Sequence, residues 1–129
     1  MDPTLKIYKH EEVFVTESGY SFPQMDVAYR TWGQLNEARD NAVVIFHALT
    51  GSAHADDWFG GFFRNGFIDT ERQFVVCANV PGSCYGSTGP LSTNPQTGRR
   101  YLADFPKITI RDMVRLQQRL LDHLGVEGV

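Results

Sequence analysis

The chain has 129 residues, 42% of them hydrophobic and 21% charged, with a formal net charge of -3. That is enough apolar material for one globular core, and it offers no basic stripe for nucleic acid. No apolar run approaches the ~18 residues of a membrane span, and the polar start MDPTLKIYKHEE lacks the apolar stretch of a secretory signal. Cys77 and Cys84 are the only cysteines; two thiols without a signal suit a reducing cytosol better than a disulfide framework, so a cytoplasmic location is expected.

Taken in chain order, residues 11–16 and 25–32 read as two strands, with Ser18, Gly19 and the run to Pro23 supplying the turn between them. In the second, Val27, Tyr29 and Thr31 alternate with Ala28, Arg30 and Trp32, the pattern of an antiparallel strand with one wetter face. Residues 33–41 are polar and loop-like. The continuous apolar run at 42–46 predicts a strand buried on both faces, and residues 73–80 repeat it with FVVCANV. Between them, residues 57–65 predict a short helix weakened by Gly60 and Gly61. The clearest helix is 110–124. Thr109 is its N-cap, Asp112 completes a capping-box-like pair, and Gly125 is a natural C′ residue. Ile110, Met113, Val114, Leu120, Leu121 and Leu124 are its expected apolar stripe, with Arg111, Arg115, Gln118 and Asp122 opposite. Val126 to Val129 read as the entry to another strand. This order predicts an α/β fold, with antiparallel leading strands followed by parallel strands and crossover helices.

Three places could carry chemistry. In NAVVIFHALTGSAHADDW (residues 41–58) a buried strand ends at His47, then turns through Ala48, Leu49, Thr50 and Gly51. Amides near Leu49 and Thr50 would be free to meet a developing negative oxygen, as acyl transfer requires. An ordinary strand-to-helix loop anchored by His47 is the alternative. The second place is PGSCYGSTGPLSTNP (residues 81–95). A phosphate loop would need a Lys before its Ser/Thr pair, and none is present. Gly82-Ser83-Cys84-Tyr85-Gly86 matches G-x-S-x-G with Cys84 as nucleophile, yet such an elbow must run into a helix, and Gly86, Ser87, Thr88, Gly89 and Pro90 are poor helix formers. A structural Cys84 is the preferred reading. Third, His54, Asp56 and Asp57, with His47 nearby, are possible metal ligands, but their spacing fits no common motif, and acidic residues there suit a helix N-terminus. No metal is expected. Arg99 and Arg100 could meet an anionic substrate, although paired loop arginines are usually solvated.

Assembled, VAYRTWGQLN (27–36), NAVVIFHALTGSAHADDW, IDTERQFVVCANV (68–80), GSTGPLSTNPQTGRRY (86–101), DFPKITIRDMV (104–114) and LLDHLG (120–125) make the chain resemble the N-terminal part of the homoserine O-acetyltransferase family. The resemblance runs in order from Val27 to Gly125 and departs locally at Pro81, where an apolar residue such as Leu is expected. It implies an α/β-hydrolase fold, of which residues 1–129 form the N-terminal part of the core domain. It also implies a Ser–Asp–His triad working by a ping-pong route, with acetyl-CoA as co-substrate, homoserine as acceptor, and no bound cofactor. The triad would lie beyond Val129, so no catalytic side chain is assigned and the chain alone is expected to be inactive. The resemblance places one oxyanion-hole donor at the Leu49 amide and makes Thr50, Gly51, Ser52, Ala53 and His54 pocket candidates. It implies small-molecule partners and a homodimer for the complete protein. Alternatives are a relative specific for succinyl-CoA or serine on the same fold, a non-catalytic α/β-hydrolase-like binding module, and an autonomous cysteine hydrolase using Cys84.

Overall fold

The structure, a computed structural model, describes residues 2–129. Its strands are β1 (Lys6–His10), β2 (Phe14–Val15), β3 (Ser21–Phe22), β4 (Met25–Trp32), β5 (Ala42–Ile45) and β6 (Phe74–Ala78). Its α-helices are α1 (Ala55–Trp58), α2 (Gly60–Arg64) and α3 (Ile110–Leu124). Four strands form one sheet in the order β1-β4-β6-β5, and β2 and β3 form a separate antiparallel pair. β4 runs antiparallel to β6, with Arg30 opposite Cys77. β5 runs parallel to β6, with Ile45 opposite Cys77. The expected mixed sheet, antiparallel before parallel, is therefore present. No described helix is long and apolar enough to cross a membrane.

The chain divides into two compact units. The first comprises the segment up to Lys6 together with Tyr29–Ala78 and Leu121–Val129. Its core gathers Ile45, Ala55, Ile68, Val75 and Cys77, with Trp32, Val43, Phe59 and Phe63 packed against them. All five residues of β6 are buried, whereas Val43 and Val44 of β5 are only half-buried, because β5 is the outer strand of the sheet. Gly33 has φ +74, and a Cβ there would lie 2.1 Å from the Gln73 carbonyl oxygen, so only glycine fits where the chain leaves β4.

The second unit comprises Ile7–Ala28 and Asn79–Leu120. Phe22, Met25, Val27, Leu116 and Leu120 are fully buried in it. The segment at 86–89 lies along the first half of β4 without being a strand. The Ala28 amide donates to Ser87 Oγ at 2.9 Å and the Asp26 amide to Thr88 Oγ1 at 2.8 Å, while the Thr88 amide returns a bond to the Asp26 carbonyl. Those hydroxyls supply the partners a neighbouring strand would otherwise give. Gly89 is required because a Cβ would lie 2.3 Å from the Ser83 carbonyl oxygen.

Several expectations need correction. The first strand is β1, from Lys6, and residues 11–16 hold only the two-residue β2; the Ser18–Gly19 turn joins β2 to β3, not to β4. The single helix at 57–65 is two short ones, α1 and α2. The strands expected at 42–46 and 73–80 are shorter, ending at Ile45 and Ala78. Val126 to Val129 form no strand; the Glu127 and Gly128 amides both donate to the Arg39 carbonyl. α3 has the expected bounds, and its capping box is reciprocal: Thr109 N–H to Asp112 Oδ2 at 3.0 Å, Asp112 N–H to Thr109 Oγ1 at 3.1 Å. Its buried face differs from the expected stripe. Asp112, Leu116, Gln117 and Leu120 are buried, while Ile110 and Val114 are exposed. Asp112 is fully buried because it also accepts the Glu17 amide at 3.0 Å, which turns the helix about its axis relative to an apolar-only reading.

Candidate active site

β5 and β6 are parallel and in register, so the chain leaves both strands at the same edge of the sheet. In open α/β sheets this carboxyl edge is where ligands bind. Beyond β5 the chain makes a tight turn closed by the Gly51 amide donating to the Ala48 carbonyl at 2.8 Å. His47 Nδ1 lies 2.8 Å from the same carbonyl; because a carbonyl only accepts, Nδ1 carries the proton. Two donors thus hold the Ala48 oxygen, and Leu49 and Thr50 occupy the two corners. Neither corner amide donates to another group among the described residues, and both residues are exposed. Gly51 is close-packed, since a Cβ would lie 3.1 Å from His47 Cβ and 3.2 Å from the Ala48 oxygen. The turn therefore presents two adjacent free N–H groups at the end of a parallel strand, the feature an oxyanion needs. His47 anchors the loop through this contact, as an ordinary strand-to-helix loop would have it.

The segment after the turn is tied down from several directions. The Ser52 carbonyl accepts Trp58 Nε1–H at 3.0 Å and a weak bond from Cys77 Sγ at 3.8 Å. Ser52 Oγ accepts the His54 amide at 3.3 Å. Ala53 is fully buried. His54 Nε2 pairs with the Asp2 carboxylate. The Thr4 hydroxyl and His54 hold that carboxyl well below the usual range. Asp56 is engaged by Arg30 Nη1 at 2.5 Å, and the Arg30 guanidinium stands 4.6 Å over the Trp32 ring. Among the described residues no three His, Cys, Asp or Glu side chains converge to hold a metal. Burial pushes the Cys77 thiol up to about 12, against the opposing influence of Arg30.

Cys84 is exposed in a groove lined by Ser83, Gly86, Ser87 and Ser92, and the next helical turn after it is the 3-10 segment Leu102–Asp104. It thus lacks the strand-to-helix elbow that activates a nucleophile. A cavity of about 360 Å³ is lined by Phe22, Asp26, Thr88, Ser92 and Tyr101 and contains none of the candidate residues. Sequence reasoning missed Arg30. The available signal was an arginine inside an otherwise apolar strand pattern, with acidic residues opening a later helix.

No family model matches the chain. It is 59% identical to the homoserine O-acetyltransferase of Chlorobium luteolum over 130 aligned positions, covering 100% of this chain and 36% of that protein. The chain thus spans about a third of the length of that relative. Among solved structures it is similar to a homoserine O-acetyltransferase from Bacillus anthracis, with a TM-score of 0.84 at 29% identity over 97% of this chain and 38% of the other. It is also similar to esterase E22, with a TM-score of 0.80 at 32% identity over 95% of this chain and 38% of the other. The fold is that of the α/β-hydrolases.

Proposed function

This chain belongs to the homoserine O-acetyltransferase family, and from that premise we propose that it forms the N-terminal part of the core domain of an acyltransferase moving an acetyl group from acetyl-CoA to the hydroxyl of homoserine. The observation that carries the reading is the pair of free amides at Leu49 and Thr50, held at the carboxyl end of a parallel strand. In the proposed reaction a serine supplied by a later segment attacks the thioester carbonyl. The Leu49 N–H stabilises the oxyanion, the intermediate collapses with loss of coenzyme A thiol, and the homoserine hydroxyl then takes the acetyl group from the serine. The chain itself contributes the oxyanion donor and, through Thr50, Gly51, Ser52 and His54, part of the pocket wall. The open outer edge of β5, apolar and without charged or proline protection, supports a further parallel strand pairing there. The complete protein is proposed to work in the cytoplasm as a homodimer.

A second reading, hydrolysis in place of transfer, is favoured by the similarity to esterase E22, whose fold matches nearly as well. Water would then replace homoserine as acceptor. One assay separates the two. Coenzyme A release from acetyl-CoA by the complete protein should require homoserine and yield O-acetylhomoserine. Release at the same rate without homoserine, with free acetate as product, would refute the transferase reading in favour of hydrolysis.

A further inference from the structure

Register puts Ile45, Cys77 and Arg30 in one row across three adjacent strands, with their side chains on the same face of the sheet. Each of the three meets the segment that carries the turn. Ile45 ends the strand leading into it. Cys77 Sγ contacts the Ser52 carbonyl just after it. Arg30 reaches Asp56 on α1, and from α1 Trp58 Nε1–H returns to the same Ser52 carbonyl at 3.0 Å. α1 is only four residues long and has no side-chain cap, so its own hydrogen bonds cannot hold it in place. The arginine side chain is 12% exposed, and its Nε is buried without a partner among the described residues. An apolar side chain of similar volume would cover this face at less desolvation cost. What the ion pair supplies is direction: it fixes one end of α1 so that Trp58 can fix Ser52.

We propose that Arg30 is a positioning residue for the oxyanion turn, acting through Asp56, α1 and Trp58 on Ser52, the residue next to Gly51. The inference rests on the reading of Leu49 as an oxyanion donor and deepens it. Arg30 touches no reacting atom. Its removal leaves the turn's own closure, the Gly51–Ala48 bond, intact but frees the segment that sets the direction of the Leu49 amide. A small misplacement of such a donor costs rate far more than binding, by up to about a hundredfold.

The test has two arms. In the complete acyltransferase, Arg30→Met keeps the bulk and removes the charge. It should lower kcat by about tenfold to a hundredfold while KM for acetyl-CoA and for homoserine stays within about twofold. Arg30→Lys, which can still reach Asp56, should recover most of the loss. In the 129-residue chain, hydrogen exchange at the Trp58 indole N–H should speed up at least about tenfold in Arg30→Met, while amides of β5 and β6 keep their protection. Unchanged kcat, a loss carried by KM, or an indole as protected as in the wild type would overturn the inference. If the wild-type complete protein transfers no acetyl group, the proposed function falls, and the indole exchange still decides whether Arg30 clamps α1.

Discussion

Replacing Asp112 by alanine tests how the second unit is held together. Its carboxylate is fully buried and accepts the Thr109 amide at 3.0 Å, the Glu17 amide at 3.0 Å and Arg115 Nη1 at 3.2 Å. The Arg115 contact contributes little, since that side chain is nearly half exposed and its charge is screened. Each backbone N–H loses a charged acceptor. Both sites are partly buried, so water restores part of each loss and about 1 kcal/mol remains per amide. The anion at the first turn of α3 adds roughly 0.5 kcal/mol through the helix dipole. Together these predict that Asp112→Ala destabilises by about 2–3 kcal/mol, a fall in Tm of roughly 8–12 °C for a chain of this size. Asp112→Asn keeps the volume and one acceptor and should cost about half as much. Urea titration followed by circular dichroism gives the comparison. An Asp112→Ala midpoint within about 0.5 kcal/mol of wild type would refute the reasoning, because it would mean that neither Glu17 nor Thr109 depends on this carboxylate.

The same group gives a pH dependence. Burial alone would raise the Asp112 carboxyl, but the amides of Thr109 and Glu17 outweigh it and hold the group below its ordinary 3.8. Its contribution to stability is therefore complete above that value and drains away as the pH falls through it toward the lower folded value, so Asp112→Asn should flatten the acid limb of a stability-versus-pH curve. Gly33→Ala should cost more than about 2 kcal/mol, since it combines a left-handed backbone with a Cβ placed on two carbonyl oxygens, whereas Gly19→Ala, with nothing within 4 Å, should cost only about 1 kcal/mol; thermal melts of the two variants give the ranking. Iodoacetamide at mildly alkaline pH should modify exposed Cys84 and leave buried Cys77 unlabelled in the folded chain, as read by peptide mass mapping. The 129-residue chain alone should show no homoserine-dependent release of coenzyme A, and turnover at the rate of an intact enzyme would contradict the fragment reading.

The features legible in the sequence are those set by near neighbours along the chain. Thr109, Asp112 and Gly125 mark the ends of α3, because capping joins groups three or four residues apart. The apolar runs of β5 and β6 announce parallel strands, and His47 to Gly51 announces the turn, since a sharp reversal after a strand depends on local backbone geometry. Tertiary structure decided the rest. The buried face of α3 was misread because hydrophobic periodicity cannot foresee that the amide of Glu17, 95 residues away, makes Asp112 an interior group. Asp56 looked like a metal candidate because its partner Arg30 lies 26 residues earlier and meets it only once β4 is paired with β6. Ser87 and Thr88 looked like loop residues, yet they complete the hydrogen bonding of Asp26 and Ala28 across about sixty positions of sequence. A local pattern records how a segment can bury its own apolar side chains. Which polar groups go inside with them depends on partners that only the folded chain brings within 3 Å.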